Sequence, residues 1–489
     1  MILLVHLAWP APRPRTVRFL PFLAIVALIL HLSLEGYRWQ MLGIYALTLG
    51  LSIATALRPR PAKERGWLAS LFLVLILALA TLVPVLLPVP AVPSTAGAWK
   101  VGTRSFELVD SSRKELYSGK DEARRFMIQV WYPAVPRPGD RHSPWMANAG
   151  VFAPAISKFM GLPGFFLDHL ALVKVPAYQD APAAQSQGGF PLLLFSHGWN
   201  GFNAQNTGEA LLLASRGYIV VAPQHSYGAV VSVFPDGSIA KNNPVALPDG
   251  APQEEYEIAA RKLVDQWTGD LSFALSWMEA KTGDTSSPFA GLVDASRVGA
   301  FGHSTGGGAV IELASTDPRC KAVFGMDPFM RPVQPRVLDS GFRASAFFMF
   351  SQKWADNLGS RNNELFNRFY PHATGSLGAV SITGTDHFDF SDLPILTPLA
   401  PQLGLKGPLA GKRVTAIVED YLLSFFELTL EGKATSLFGA PGSPAGQSAG
   451  EPGMVSPYPE VRKKQALPER LAGTPPAPRT GLRARSSQL

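Results

Sequence analysis

The chain has very little cysteine: one residue, Cys320, among 489. A single thiol excludes an internal disulfide framework, so the fold must rely on its own hydrophobic core. It also excludes cysteine-rich zinc sites, and the nine histidines lack the short spacing of metal ligands. No glycine-rich fingerprint for a dinucleotide or a phosphate is present. We therefore expect neither a metal nor a cofactor.

The chain also lacks the basic surface of a nucleic-acid-binding domain. Its net charge of +7 comes from the two ends, because residues 1–99 carry a net +6, residues 441–489 a net +4, and residues 100–440 a net −3. A slightly acidic central region does not bind a polyanion, which argues against nucleic acid as a partner. Positive charge beside long apolar runs is typical of residues that flank membrane spans.

Long apolar runs are present near the amino terminus, at residues 19–34, 41–57 and 67–90. Each has about the length that crosses a bilayer, so we predict about three transmembrane helices. The first two runs are short, and a helical hairpin that does not cross is the alternative for them. A cleaved signal peptide fits poorly, since the third run ends in LPVPAVP without a small-x-small site.

The basic residues also predict the orientation of these helices. They lie before the first run and between the second and third: Arg13, Arg15, Arg18, Arg58, Arg60, Lys63 and Arg65. The loop between the first and second runs has only Arg38. Because Lys and Arg beside a span tend to remain cytoplasmic, we expect a cytoplasmic amino terminus and three crossings. The rest of the chain then lies on the periplasmic or extracellular side.

The sequence predicts three parts. Residues 1–99 form the membrane region, residues 100–440 a single α/β domain, and residues 441–489 a disordered tail rich in proline, glycine and serine. In the α/β domain, apolar runs such as PLLLFS and YIVVAP alternate with helical segments, including a long helix at about 254–282. Such runs are typical of parallel strands covered on both faces, which predicts a doubly wound, mostly parallel sheet. Functional residues then gather at the carboxyl ends of the strands.

The sequence GHSTG at 302–306 fits the G-x-S-x-G pattern, with a predicted strand before it and a predicted helix after it. In a nucleophile elbow the serine occupies a strained turn, and residues without a Cβ are needed beside it. We therefore predict Ser304 as a nucleophile. The alternative is an ordinary glycine-rich loop.

A serine hydroxyl is a weak nucleophile, so an acid and a histidine base should follow it along the chain. Asp327 ends the next predicted strand, CKAVFGMD, and His387 follows the strand GAVSITGTD. We predict these two as the acid and the base. His372, in the loop YPHATGS, is the alternative base. Asp386 and Asp389 are alternative acids, although each is too close in sequence to fold back easily onto the imidazole of the histidine.

Acyl transfer also needs hydrogen-bond donors for the oxyanion. We predict the backbone N–H of Thr305, directly after the nucleophile, and that of Trp199, in the loop FSHGWN where Gly198 allows close approach. The alternative for this loop is a plain glycine turn. Two further histidines, His303 and His225, are expected to be structural residues near the site.

These stretches resemble a known family, the α/β-hydrolases of the platelet-activating factor acetylhydrolase type, in its plasma form and bacterial relatives. The resemblance covers about residues 105–432 and rests on ISKFMGLP, PLLLFSHGWNGF, LASRGYIVVAPQH, VGAFGHSTGGGAVIEL, GMDPFM and GTDHFDFSD. It implies the α/β-hydrolase fold and calcium-independent hydrolysis of a short or oxidised acyl chain at the sn-2 position of a phospholipid, by Ser304, Asp327 and His387. The membrane region and the insert RPVQPRVLDSGF depart from the family and leave the substrate open.

Two other functions remain as alternatives. Cutinases and polyester hydrolases have a similar elbow, which would make the chain a carboxylesterase of another specificity. A membrane-anchored binding protein with an inactive hydrolase fold is the second, although serine, aspartate and histidine at three strand ends argue against it. The apolar stretch 145–172 is predicted either as a core helix or as an interfacial helix that draws amphiphiles from the membrane.

Overall fold

The computed structural model describes residues 1–9, 14–57, 66–93, 97–441 and 456–464. Arg13 and the basic segment 58–65, on which part of the predicted orientation rests, lie outside these residues. The helices within the described residues are α1 Ile2–Ala8, α2 Arg15–Leu34, α3 Leu42–Ala56, α4 Trp67–Leu86, α5 Ala149–Phe159, α6 Thr207–Ser215, α7 Gln253–Gly283, α8 Thr305–Thr316, α9 Pro335–Ser340, α10 Gln352–Asp356, α11 Arg361–Phe369 and α12 Gly411–Glu431.

Strands alternate with the later helices. They are β1 Lys100–Lys114, β2 Ala123–Ala134, β3 His142–Pro144, β4 Lys174–Gln179, β5 Phe190–Ser196, β6 Ile219–Gln224, β7 Val231–Val233, β8 Ile239–Lys241, β9 Val293–His303, β10 Cys320–Met326, β11 Ser345–Ser351, β12 Ser376–Ile382 and β13 Val461–Lys463. Eleven of them form one sheet in the order β13-β12-β11-β10-β9-β5-β6-β2-β1-β4-β3.

The centre of this sheet is parallel, as predicted from the apolar runs. Strands β6, β5, β9, β10, β11 and β12 pair in parallel, whereas β2 and β13 join antiparallel at the two sides of this group. Every residue of β5 is buried. The alternate residues Leu193 and Phe195 pack under α6 and α12, while Leu192 and Leu194 pack under α7 and α8. Helices on both faces therefore explain why the strand is apolar throughout.

Part of the predicted disordered tail is ordered, and for residues 456–464 that prediction is wrong. Strand β13 pairs antiparallel with β12 at the edge of the sheet. Tyr458 is buried, and the Glu460 carboxylate pairs with Arg413 of α12 at 3.0 Å. The amine of Lys464 donates to Asn363 Oδ1 at 2.6 Å. The remaining tail residues, 442–455 and 465–489, lie outside the described residues.

In the part of the chain that the structure describes, three helical segments are long and apolar enough to cross a membrane: Arg15–Leu34, Trp39–Ala56 and Trp67–Leu86. They match the three apolar runs of the sequence. Two hydrogen bonds between described residues join this region to the α/β domain. The Trp39 indole N–H donates to Phe166 O at 3.1 Å, and the Thr397 hydroxyl donates to Leu86 O.

The apolar stretch 145–172 packs mainly as core. Phe152 and Ile156 of α5 and Leu170 of the following turn are buried against the α6 and α12 face of the sheet. Among the large apolar side chains of this stretch, Phe165 is the exposed one: it is 53% exposed next to Trp39, with ring centroids 5.3 Å apart.

Candidate active site

The predicted nucleophile lies in a sharp turn between β9 and α8. Ser304 has φ 57° and ψ −122°, a conformation that costs a residue with a Cβ on the order of 1–3 kcal/mol and persists only where neighbours hold it. Two backbone bonds do so, because Ser304 N–H donates to Met326 O at 3.0 Å and Phe329 N–H donates to Ser304 O at 2.9 Å. The end of β10 therefore fixes the serine at the carboxyl edge of the sheet.

Two glycines of the elbow are required by close backbone approach. A Cβ at Gly302 would lie 2.4 Å from Gly306 O, and a Cβ at Gly306 would lie 2.0 Å from Ser196 O. Any larger residue at either position would displace a neighbouring strand or turn. Close backbone packing therefore explains the two glycines of the G-x-S-x-G pattern.

Asp327 directly follows β10 and is fully buried. Its carboxylate accepts two hydrogen bonds from Ser351, the last residue of β11. The Ser351 N–H donates to Oδ1 at 2.8 Å, and the Ser351 hydroxyl donates to Oδ2 at 2.6 Å. Burial raises the pKa of Asp327, and the two bonds from Ser351 act against that rise because they favour the ionised form.

His387 reaches the same carboxylate, with Nδ1 3.0 Å from Asp327 Oδ2. The histidine begins a short 3-10 turn that the neighbouring acids stabilise. Asp386 accepts from the His387 N–H at 2.6 Å, and Asp389 accepts from the Asp386 N–H at 2.8 Å. These two carboxylates therefore hold the loop, and Asp327 is the acid that the structure brings to the imidazole. The alternative base, His372, is exposed in a different loop.

The His387 imidazole is buried, and burial lowers its pKa below the ordinary histidine value. The ring is therefore neutral at rest, with the Nδ1 proton directed at Asp327 and Nε2 available as a proton acceptor. Among the described residues, no hydrogen bond joins Ser304 Oγ to His387 Nε2. Ser304 is partly exposed, whereas Asp327 and His387 are buried.

The loop after β5 lies against the serine. A Cβ at Gly198 would be 3.2 Å from Ser304 Cβ, so the glycine permits this approach. Within the described part of the chain, neither Trp199 N–H nor Thr305 N–H donates a hydrogen bond. The Thr305 N–H is also at the amino end of α8, where the helix dipole favours negative charge. One predicted donor, Thr305, thus directly follows Ser304 in the chain. The other, Trp199, is in the loop that packs against Ser304.

Three side chains that contact Asp327, His387 or His303 were not predicted from the sequence: Gln205, Ser351 and Trp354. The Trp354 indole stacks on the His387 ring, and Gln205 Nε2 donates to His303 Nδ1 at 2.9 Å. His303 in turn donates from Nε2 to His387 O at 3.0 Å, which agrees with its expected structural role. The signal available for Trp354 was its place three residues beyond the end of β11.

Among the described residues there is no group of three or more His, Cys, Asp or Glu side chains that could hold a metal ion.

His225, the other histidine expected to be structural, is fully buried with both ring nitrogens bonded, to Asp270 at 2.9 Å and to Ser196 at 3.0 Å.

The sequence pattern of the family described as platelet-activating factor acetylhydrolase, isoform II, matches residues 88–435. The chain belongs to this family. The resemblance inferred from the motifs is thus confirmed, and the matched region includes Trp199, Ser304, Asp327 and His387. It begins after Leu86, so the three apolar helices are outside the family match.

Individual relatives of the acetylhydrolase family agree with this assignment. The chain is 27% identical over 338 residues to platelet-activating factor acetylhydrolase of Cavia porcellus, covering 64% of this chain and 74% of the relative. It is 25% identical over 382 residues to a probable 1-alkyl-2-acetylglycerophosphocholine esterase of Arthroderma benhamiae, covering 72% and 91%. Among solved structures, a ferulic acid esterase from Streptomyces cinnamoneus matches with a TM-score of 0.59 and 25% identity, covering 77% of this chain and all of that chain. The mixed, mostly parallel sheet is therefore that of an esterase of the α/β-hydrolase type.

Proposed function

We propose that this protein is a serine esterase that hydrolyses the sn-2 ester of phospholipids resembling platelet-activating factor, where the acyl chain is short or oxidised. The observation that carries the proposal is the 3.0 Å contact between His387 Nδ1 and Asp327 Oδ2 beside a serine held at φ 57°. Family membership supports the reaction class, and the names of the relatives support the substrate.

In the proposed mechanism the Ser304 hydroxyl attacks the ester carbonyl while His387 Nε2 takes its proton. Asp327 holds the Nδ1 proton and stabilises the imidazolium that forms. The N–H groups of Trp199 and Thr305 donate to the oxyanion of the tetrahedral intermediate. The imidazolium then gives its proton to the leaving alcohol, which leaves an acyl-serine. Water, activated by His387, attacks the acyl-serine in the same way and releases the acid.

We further propose a preference for acyl chains of about two to six carbons. Each buried methylene adds about 0.8 kcal/mol of binding only where the pocket has room for it. We propose that two aromatic residues, Phe329 and Trp354, limit that room. Phe329 N–H is bonded to the serine carbonyl, and the Phe329 ring lies 6.5 Å from the ring of Trp354, centroid to centroid.

A carboxylesterase of another specificity is the second candidate, because the structural neighbour is a ferulic acid esterase. One set of substrates separates the two candidates: acetyl, butyryl, octanoyl and palmitoyl p-nitrophenyl esters together with methyl ferulate. The proposed function predicts the highest kcat/KM with acetyl or butyryl and no activity that survives Ser304→Ala. A preference for methyl ferulate would favour the second candidate. Failure of a fluorophosphonate to label Ser304 would favour an inactive binding protein.

We also propose that α2, α3 and α4 anchor the enzyme in a membrane. The contacts of Trp39 with Phe166 and of Leu86 with Thr397 join the α/β domain to the loop after α2 and to the end of α4. Three antiparallel crossings place those two points on one side of the membrane, opposite the start of α2. This arrangement agrees with the orientation inferred from Arg15 and Arg18, which precede the first span.

The proposed orientation puts the amino terminus in the cytoplasm and the catalytic domain on the periplasmic or extracellular side. Alkaline phosphatase, which is active only after export, tests it directly. Fusion after residue 100 should give an active reporter, and fusion near residue 60 an inactive one. The reverse pattern would place the catalytic domain in the cytoplasm.

A further inference from the structure

A second serine-histidine-aspartate array lies behind the candidate active site. Ser196 Oγ is 3.0 Å from His225 Nε2, and His225 Nδ1 is 2.9 Å from Asp270 Oδ2. All three side chains have zero exposed surface. No substrate can reach them, so any contribution to catalysis must pass through a residue that they position.

Asp270 is the fixed end of this array. Arg124 donates to both of its oxygens, at 3.0 and 2.6 Å, and Arg113 donates to Oδ1 at 2.9 Å. These cations hold the pKa of Asp270 well below its usual range despite complete burial. An ionised carboxylate only accepts hydrogen bonds, so His225 must carry its proton on Nδ1. Its Nε2 then accepts from the Ser196 hydroxyl.

His197 connects the array to the loop after β5, which contains Gly198 and Trp199. Its Nε2 accepts the backbone N–H of His225 at 3.2 Å, and its Nδ1 lies 2.7 Å from Gly198 O. A backbone N–H can only donate and a carbonyl can only accept, so the His197 proton must be on Nδ1. The ring is completely buried, which lowers its pKa and keeps it neutral. Gly201 N–H donates to the same Gly198 carbonyl at 2.9 Å.

The Gly198 carbonyl and the Trp199 N–H belong to one peptide unit. In a planar trans peptide the C=O and N–H bonds point in opposite directions. Fixing the carbonyl toward His197 therefore fixes the direction of the Trp199 N–H. The same loop is in van der Waals range of Ser304, since a Cβ at Gly198 would be 3.2 Å from Ser304 Cβ.

We infer that His197 is a positioning residue of the esterase: its Nδ1–H holds the Gly198–Trp199 peptide so that the Trp199 N–H is directed at the oxyanion. The His225 backbone N–H fixes His197 in the required tautomer, and the buried bonds of the His225 ring to Asp270 and Ser196 hold His225 in place. This inference rests on the proposed esterase function. It assigns the buried array to stabilisation of the transition state and not to substrate binding.

Two substitutions at His197 separate this role from simple packing. In His197→Asn the amide nitrogen can occupy the place of Nδ1, so the bond to Gly198 O is kept. In His197→Gln the amide reaches the place of Nε2, and that bond is lost. Measured on the full chain in detergent with p-nitrophenyl acetate, His197→Gln should lower kcat about 100-fold, the usual effect of removing one oxyanion donor. KM should change by less than about threefold, and His197→Asn should retain kcat within about tenfold of wild type.

A trifluoromethyl ketone supplies a second readout, because its adduct with Ser304 places an oxyanion in the same position. Its affinity should fall in parallel with kcat across the two variants. Equal kcat losses in His197→Asn and His197→Gln, or losses confined to KM, would overturn the inference. If the ring variants do not fold, Ser196→Ala removes one hydroxyl from the array and should lower kcat several-fold at constant KM. An unchanged kcat there would also overturn it.

Failure of the proposed esterase function would give a different result from failure of the positioning role of His197. If Ser304→Ala kept the activity of the wild type, the nucleophile itself would be wrong, whatever the His197 variants did. If Ser304→Ala were inactive but the His197 variants did not differ, only the positioning role would be wrong.

Discussion

The Trp354 indole lies parallel to the His387 imidazole, with ring centroids 4.3 Å apart and an angle of 6° between the planes. Ser351 connects the tryptophan to the acid, since its N–H donates to Asp327 and its hydroxyl accepts from Trp354 N–H at 3.3 Å. The face of an indole attracts a cation more strongly than a neutral ring. Trp354 should therefore stabilise the imidazolium that forms during proton transfer.

Replacement of Trp354 tests this stabilisation. A cation–π contact is worth about 0.5 kcal/mol at an exposed site and about 2 kcal/mol at a desolvated one, so Trp354→Leu should lower kcat about 2- to 30-fold. Trp354→Phe keeps an aromatic face and should lose less. The measurement is kcat for p-nitrophenyl acetate, with thermal unfolding as the control for folding. Equal kcat in the wild type and Trp354→Leu would show that the stack does not affect the reaction.

The pH dependence of kcat/KM should follow His387. Burial lowers the pKa of this histidine, and in the proposed mechanism the neutral imidazole is the form that accepts the serine proton. Activity is therefore lost as the pH falls through a pKa that is lower than usual. The acid limb of the kcat/KM profile should lie below about 6.5, the ordinary histidine value. An acid limb at or above that value would contradict the predicted effect of burial.

His387, the predicted base, and His372, the alternative base, give a matched pair of variants. His387→Ala should lower kcat by several orders of magnitude, whereas His372→Ala, an exposed residue, should change it less than about twofold. Asp327→Asn should be damaging but less so, because the acid only orients the imidazole and stabilises its cation. If the two histidine variants exchanged effects, the base would be His372.

The ordered part of the tail should contribute to stability. Removal of residues 442–489 deletes β13, exposes the edge of β12 and leaves Arg413 without Glu460. We expect the midpoint of thermal unfolding to fall by roughly 5–10 °C, the effect of a loss of a few kcal/mol in a domain of this size. Removal of residues 465–489 alone keeps β13 and is the control. The same midpoint in both truncations would mean that β13 adds nothing to the fold.

The parallel centre of the sheet could be predicted from sequence because its strands are buried on both faces and therefore read as unbroken apolar runs, as in β5. Strand β1 was not predicted. It lies toward one side of the sheet, where charged residues alternate with buried ones such as Leu108, and its sequence KVGTRSFELVDSSRK has no such run. Strand β13 was missed for a related reason, since three residues cannot alter the composition of a tail rich in proline and glycine.

Some contacts of the candidate site could likewise be predicted from the sequence, and others could not. The pairing of Asp327 with His387 could be predicted, because both follow strands whose carboxyl ends meet at one edge. The stacking of Trp354 and the buried array at Asp270 could not, since they depend on side chains brought together from distant elements. Asp270 lies in the middle of α7, where its residue type alone suggests an exposed face.

The central claim is tested most directly by acetate release from a 1-alkyl-2-acetylglycerophosphocholine. The full chain and its Ser304→Ala variant would be assayed side by side in the same detergent, with mass spectrometry of the fluorophosphonate-labelled wild type to locate the adduct. We predict rapid acetate release by the wild type, loss of several orders of magnitude in the variant, and a single adduct on Ser304. Acetate release that persists in Ser304→Ala, or an adduct on another residue, would contradict the account.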